Sequence, residues 1–224
     1  QTCKSATQQI LLGLSDTIAS DAFAQSARHP QHPSAFTRCR QLPLPALIAS
    51  LLSMRSSSQQ TMLDAFFGNL CGDGALTRGV SDRAFAKARS HLHVPALVGL
   101  NDQLLAQADA AGLLARWQGL RLVAADASVL RPAIRRCKRT RGLAACDGRL
   151  FALYLPGPEL TLHAAVHSGC ESERAMLAEA LDKLGPHDVL LLDRGYPAAW
   201  LINLLEARGI RFIMRCDTTA GSWK

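Results

Sequence analysis

Along residues 1 to about 118, apolar positions recur at helical spacing. Ile10, Leu11, Leu14 and Ile18 fall on one helical face. Leu47, Ile48, Leu51 and Leu52 follow the start signals Pro43 and Pro45, and Met62, Leu63, Phe66 and Phe67 repeat the pattern. Ser81 is placed to cap a helix carrying Phe85, Ala88 and Leu92. A further helix is predicted from Pro95 to about Ala110, followed by Leu113, Leu114 and Trp117. Strand signals are absent from this stretch.

From residue 120 the rhythm changes. Residues 120–126 form a short apolar run ending in a carboxylate, and 149–155 and 160–167 are strand candidates joined through the turn signal Pro156-Gly157-Pro158. Ser168 and Glu171 have capping-box spacing before a helix with Met176, Leu177, Ala180, Leu181 and Leu184 on one face, which Gly185-Pro186 ends. The run 188–193 has the continuous apolar character of a strand buried on both faces. Pro197 opens another helix, with Trp200, Leu201, Leu204 and Leu205 inward and Gly209 as its stop, and 210–215 supplies a last strand. The predicted order is strand, strand, strand, helix, strand, helix, strand. The organisation is thus a helical region, 1–118, followed by an α/β region, 119–224.

Asp126 and Asp193 each end a strongly apolar strand. A carboxylate there costs free energy unless it is solvated, hydrogen-bonded or bound to a cation. If the two strands are parallel neighbours, both carboxylates emerge on the same sheet edge, where open α/β sheets gather ligands. Hard oxygen donors from few residues, completed by substrate phosphate, describe a magnesium or manganese site. The bland alternative is that Asp126 caps a turn and Asp193 pairs with Arg194 or a helix end.

Composition and charge add to this picture. The chain has 224 residues, 48% of them hydrophobic and 19% charged, which excludes a disordered chain. Its 25 Lys+Arg against 18 Asp+Glu, a net of +7, favours a polyanionic partner. Arg131, Arg135, Arg136, Lys138, Arg139 and Arg141 concentrate that charge directly after the first aspartate strand, where a phosphate backbone would gain from counterion release. The seven cysteines are dispersed without a C-x-x-C pair, which argues against structural zinc and for a reduced, cytoplasmic compartment. No segment has the roughly 18 apolar residues of a membrane span, so no membrane partner is expected. His163 and His167 alternate onto one strand face and read as ordinary half-buried histidines.

Several ordered motifs carry a resemblance. Asp193-Arg194-Gly195-Tyr196, between an apolar strand and a helix, resembles the second-aspartate signature of DDE transposases of the bacterial insertion sequence four group. Ala125-Asp126-Ala127-Ser128-Val129-Leu130 is similar to the first-aspartate strand of that group, with Ala127 where Gly is usual. The stretches 36–43, 63–67 and 81–89 are similar to its helical N-terminal region. The resemblance implies a ribonuclease-H-like mixed sheet with flanking helices, truncated after its fifth strand. It implies metal-dependent cleavage and strand transfer at transposon ends, with Asp126 and Asp193 as catalytic metal ligands. The basic run is an implied contact to double-stranded DNA at transposon ends and target; Arg194 and Tyr196 either contact that DNA or buttress the site, and Tyr196 reads equally as a core-edge aromatic. Pairing with a second copy or with a full-length transposase is a further implied partnership. The triad of the family also needs a glutamate on a later helix, which this sequence does not reach. Glu206 and Asp217 lack its context, so this form is expected to be inactive alone. Two competing readings are a nuclease of the same fold that cuts without strand transfer, and a non-catalytic DNA-binding remnant.

Overall fold

The computed structural model describes residues 5–37, 42–53, 58–71, 79–130 and 148–216. The chain forms two compact units, Gln1–Gln107 and Ala108–Lys224. The division falls earlier than the boundary expected at 118.

The first unit is helical: α1 (Ala6–Ala19), α2 (Asp21–Ser26), α3 (Leu44–Leu52), α4 (Gln59–Cys71), α5 (Asp82–Ser90) and α6 (Val94–Ala110), whose last turn crosses the division. Its starts are chemically marked. Ser5 and Gln8 make a capping box on α1, Ser20 caps α2, and Ser81 caps α5 as the sequence predicts. Phe23, Ala27, Leu47, Ile48, Leu63 and Phe85 are buried together. Two expectations change: Leu52 is exposed at the end of α3, and Leu11 is exposed on α1, which buries only Ile10. The face of α1 that α6 meets is polar, with Gln103 Nε2 donating to Thr17 Oγ1 at 2.9 Å. Gln60 ties α4 to the start of α5 by donating to the Val80 carbonyl at 3.0 Å and accepting from Asp82 N–H at 2.8 Å.

The second unit holds β1 (Arg116–Trp117), β2 (Leu120–Leu130), β3 (Gly148–Leu155), β4 (Leu160–Ser168), α7 (Glu173–Ala180), β5 (Asp188–Leu192), α8 (Ala199–Ala207) and β6 (Arg211–Met214). From β2 onward this is the predicted order. Strand β1 is an addition, folded onto β2 through Gln118 and Gly119, both at positive φ (49° and 79°), the backbone that a two-residue hairpin requires. The six-stranded sheet runs β4-β3-β2-β5-β6, with β1 also on β2. β2 pairs antiparallel with β3 and parallel with β5, and β5 pairs parallel with β6. The architecture is therefore α/β with a mixed sheet. Val123, Phe151, Leu153, Met176, Leu177, Leu190, Leu201 and Leu205 are fully buried in it.

Two predicted boundaries move. β2 continues to Leu130 because β3 keeps pairing with it as far as Gly148, so Asp126 lies within the strand rather than at its end. Helix α7 starts at Glu173, with Ser172 as its cap, not at the Ser168–Glu171 box. Ser168 still belongs to β4, and its carbonyl accepts the Glu171 N–H in a turn.

At the start of the parallel pair sits a buried ion pair. Arg121 and Asp188 are register partners, joined by Nε–Oδ1 and Nη2–Oδ2 hydrogen bonds of 2.7 and 2.8 Å. Gly185 N–H donates to the same carboxylate at 2.7 Å. These bonds, outweighing the opposing effect of burial, hold the Arg121 guanidinium above its already high range.

Candidate functional site

Parallel pairing of β2 with β5 sets Arg121 beside Asp188 and Ala124 beside Leu191. Continuing that register past the last paired residues sets Asp126 beside Asp193, at the carboxyl end of β5. The pairing itself ends at Ala124 and Leu191, two residues short of the aspartates. Both residues are exposed. Along β2, Val123 and Ala125 are buried while Ala124 and Asp126 are more open, so the pleat turns Asp126 away from the side that Val123 fills.

The turn after β5 shapes the second carboxylate. Gly195 N–H donates to Asp193 Oδ1 at 2.8 Å, and Tyr196 N–H to the Asp193 carbonyl at 3.3 Å. Asp193 therefore engages its own turn and forms no ion pair with Arg194, which is exposed. A Cβ on Gly195 would lie 3.1 Å from Asp193 Oδ1 and 3.8 Å from Glu173 Oε2. A side chain here would crowd the Asp193 carboxylate, whereas the Glu173 carboxylate lies at ordinary contact distance.

Glu173 is the residue that sequence reasoning missed. It occupies the first turn of α7, where a negative charge suits the helix dipole. Its Oε1 lies 3.5 Å from Arg149 Nη1 on β3. The next residue, Arg174, donates through Nε to the Tyr196 carbonyl at 3.1 Å, which anchors the start of α7 to the turn after Asp193. The legible signal was Ser172-Glu173, a cap followed by a first-turn acid; it was hidden by the more familiar Ser168–Glu171 spacing.

Tyr196 reports the field of this group. It is 1% exposed, so of its two readings the core aromatic holds, and it offers no surface to DNA. Its hydroxyl is buried without a hydrogen-bond partner among the described residues. Burial drives its phenol well above its ordinary range, and the carboxylates of Glu173, Asp126 and Asp193 push the same way. Three acids from β2, α7 and the end of β5 thus converge around one buried ring.

Glu206 is exposed on α8, and Asp217 lies outside the described residues. So do all six members of the basic run: Arg131, Arg135, Arg136, Lys138, Arg139 and Arg141. Asp126, Glu173 and Asp193 supply only oxygen donors, the kind a hard divalent cation prefers, but among the described residues the one group whose ligand atoms all lie within 4.8 Å of one another is His167, Glu171 and Glu179. No helix among the described residues is long and apolar enough to cross a membrane. Comparison of the chain with protein-family models, with curated proteins and with solved structures finds no match.

Proposed function

We propose that the second unit is the phosphoryl-transfer core of a transposase, built on a ribonuclease-H-like sheet and acting on double-stranded DNA. What supports this reading is that Asp126 and Asp193 belong to the ends of adjacent parallel strands, with Glu173 close to the turn after Asp193. Asp126, Asp193 and Glu173 are the residues that would hold magnesium or manganese. Such an ion, when bound, activates the attacking oxygen and stabilises the charge on the leaving one.

The remaining residues serve the site directly. Gly195 N–H orients Asp193 by holding its Oδ1, leaving the other carboxylate oxygen for a ligand. Arg149 restrains Glu173 from the opposite side. Arg174 fixes the turn that carries Asp193. Exposed Arg194, next to Asp193, is placed to meet a phosphate entering the site. The basic run that follows β2 supplies further backbone contacts. Glu173 takes the place of the acid expected on a later helix, so this form is proposed to be competent for metal-dependent cleavage.

Manganese titration followed by electron paramagnetic resonance, paired with nicking of supercoiled plasmid, tests the reading. Asp126→Asn, Asp193→Asn and Glu173→Gln should each weaken manganese binding and abolish or sharply reduce nicking. Unchanged manganese affinity in both aspartate variants would overturn it. Joined products alongside nicked ones distinguish strand transfer from simple nuclease action.

A further inference from the structure

A second group of ligands lies away from the three carboxylates. Its members come from separate places in the chain: His167 near the end of β4, Glu171 in the turn, and Glu179 in the last turns of α7. His167 Nδ1 is 3.2 Å from Glu171 Oε2 and 3.9 Å from Glu179 Oε2. The three ligand atoms all lie within 4.8 Å of one another. A tetrahedral ion with bonds of about 2.0–2.2 Å holds its ligands about 3.3–3.6 Å apart. The observed separations bracket that value.

Charge and placement strengthen the point. An imidazole needs one carboxylate for an ion pair, yet two converge on it here. Arg149, the cross-strand partner of His167, directs its guanidinium to Glu173 instead. Two carboxylates with a neutral imidazole balance a divalent cation. The His167 ring is held edge-on to Phe151, with centroids 6.4 Å apart, and only 12% of its side chain is exposed. The nitrogen donor is therefore fixed before any ion arrives.

We propose that His167, Glu171 and Glu179 form a structural site for a divalent ion of borderline softness, zinc or cobalt, that clips α7 to the end of β4. One nitrogen and two carboxylate ligands suit such ions better than magnesium, which favours an all-oxygen, heavily hydrated shell. The clip fixes the turn from which Glu173 projects. Its existence does not depend on the catalytic reading above, because it uses none of the same ligands.

The test is cobalt uptake by the full chain, read by d–d absorption and by calorimetry, with zinc as competitor. With excess magnesium present to occupy any all-carboxylate site, one equivalent of cobalt should bind and raise the melting temperature. Glu179→Gln and His167→Gln should each weaken it by at least the roughly 10- to 100-fold that loss of a supporting partner costs. Glu179 is 65% exposed, so its variant keeps the fold if His167→Gln does not. Asp126→Asn and Asp193→Asn should leave cobalt uptake intact. Absence of micromolar uptake, or retention in Glu179→Gln, would overturn the proposal. Loss of uptake in Cys170→Ser or His91→Ala, with Glu179→Gln unaffected, would place the ion on the nearby thiol or on the histidines of the first unit, and would overturn it equally.

Discussion

Replacing Asp188 tests how the register of the parallel strands is held. Its carboxylate accepts three N–H groups, two from Arg121 and one from Gly185, at 2.7–2.8 Å, and the side chain is 3% exposed. Asp188→Leu leaves the Arg121 charge largely enclosed and strips Gly185 N–H of its acceptor. Breaking such a pair costs about 3–5 kcal/mol. Arg121 keeps some access to water, so the lower end, about 3 kcal/mol, is expected. At about 4 °C per kcal/mol for a unit of this size, the melting temperature should fall by about 12 °C. The double variant Arg121→Met/Asp188→Leu removes both charges together and should lie within about 1 kcal/mol of the parent. Urea unfolding of the four proteins, followed by circular dichroism, gives a coupling energy expected to be at least about 2 kcal/mol. A loss below about 1 kcal/mol in Asp188→Leu, or additive single changes, would refute the claim that this pair locks β2 to β5.

Two further predictions concern single rings. Tyr196→Phe removes a buried hydroxyl without a partner, so stability should hold or rise by about 1 kcal/mol; a loss above that in thermal melts would mean that the hydroxyl is bonded. His91 is held below its ordinary pKa by burial first, then by the charges of His32, Lys87 and His29. The unfolded chain therefore binds the His91 proton more readily than the folded one, and the first unit should lose stability as pH falls through about 6.5 and below. Melting curves at pH 7.5 and 5.5 check this; His91→Asn should narrow the difference, and an unchanged difference would assign the effect elsewhere.

The fold was legible where periodicity was strong. The runs at 120–126 and 188–193 announced strands because continuous apolar character has few other uses, but the adjacency of β2 and β5 was only a condition in the sequence, suggested by the family resemblance. Strand β1 was not legible: two residues carry no periodicity, and only the Gln118-Gly119 turn marks them. The start of α7 was misplaced because two serines offered capping chemistry, and sequence does not say that Ser168 remains in the sheet. Asp126 and Asp193 could be found because a carboxylate is costly beside an apolar strand. Glu173 could not, since a first-turn acid is ordinary until folding carries it to Asp193. Tyr196 stayed open between a DNA contact and a core aromatic for a related reason: its neighbours Arg194 and Gly195 are exposed, and only the turn directs its ring inward.

The pairing of β2 with β5 also orders events in time. On the ribosome, β2 is completed before β3, β4 and α7, and its parallel partner is the later β5. Until β5 emerges, the edge of β2 that will receive it stands open, a template for wrong pairing of the kind that edge strands invite. Closing a pairing over so long a stretch of chain is slow compared with forming hairpins or helices. The strands that carry Asp126 and Asp193 become neighbours only at that step, so their relation depends on the last long-range pairing of the sheet.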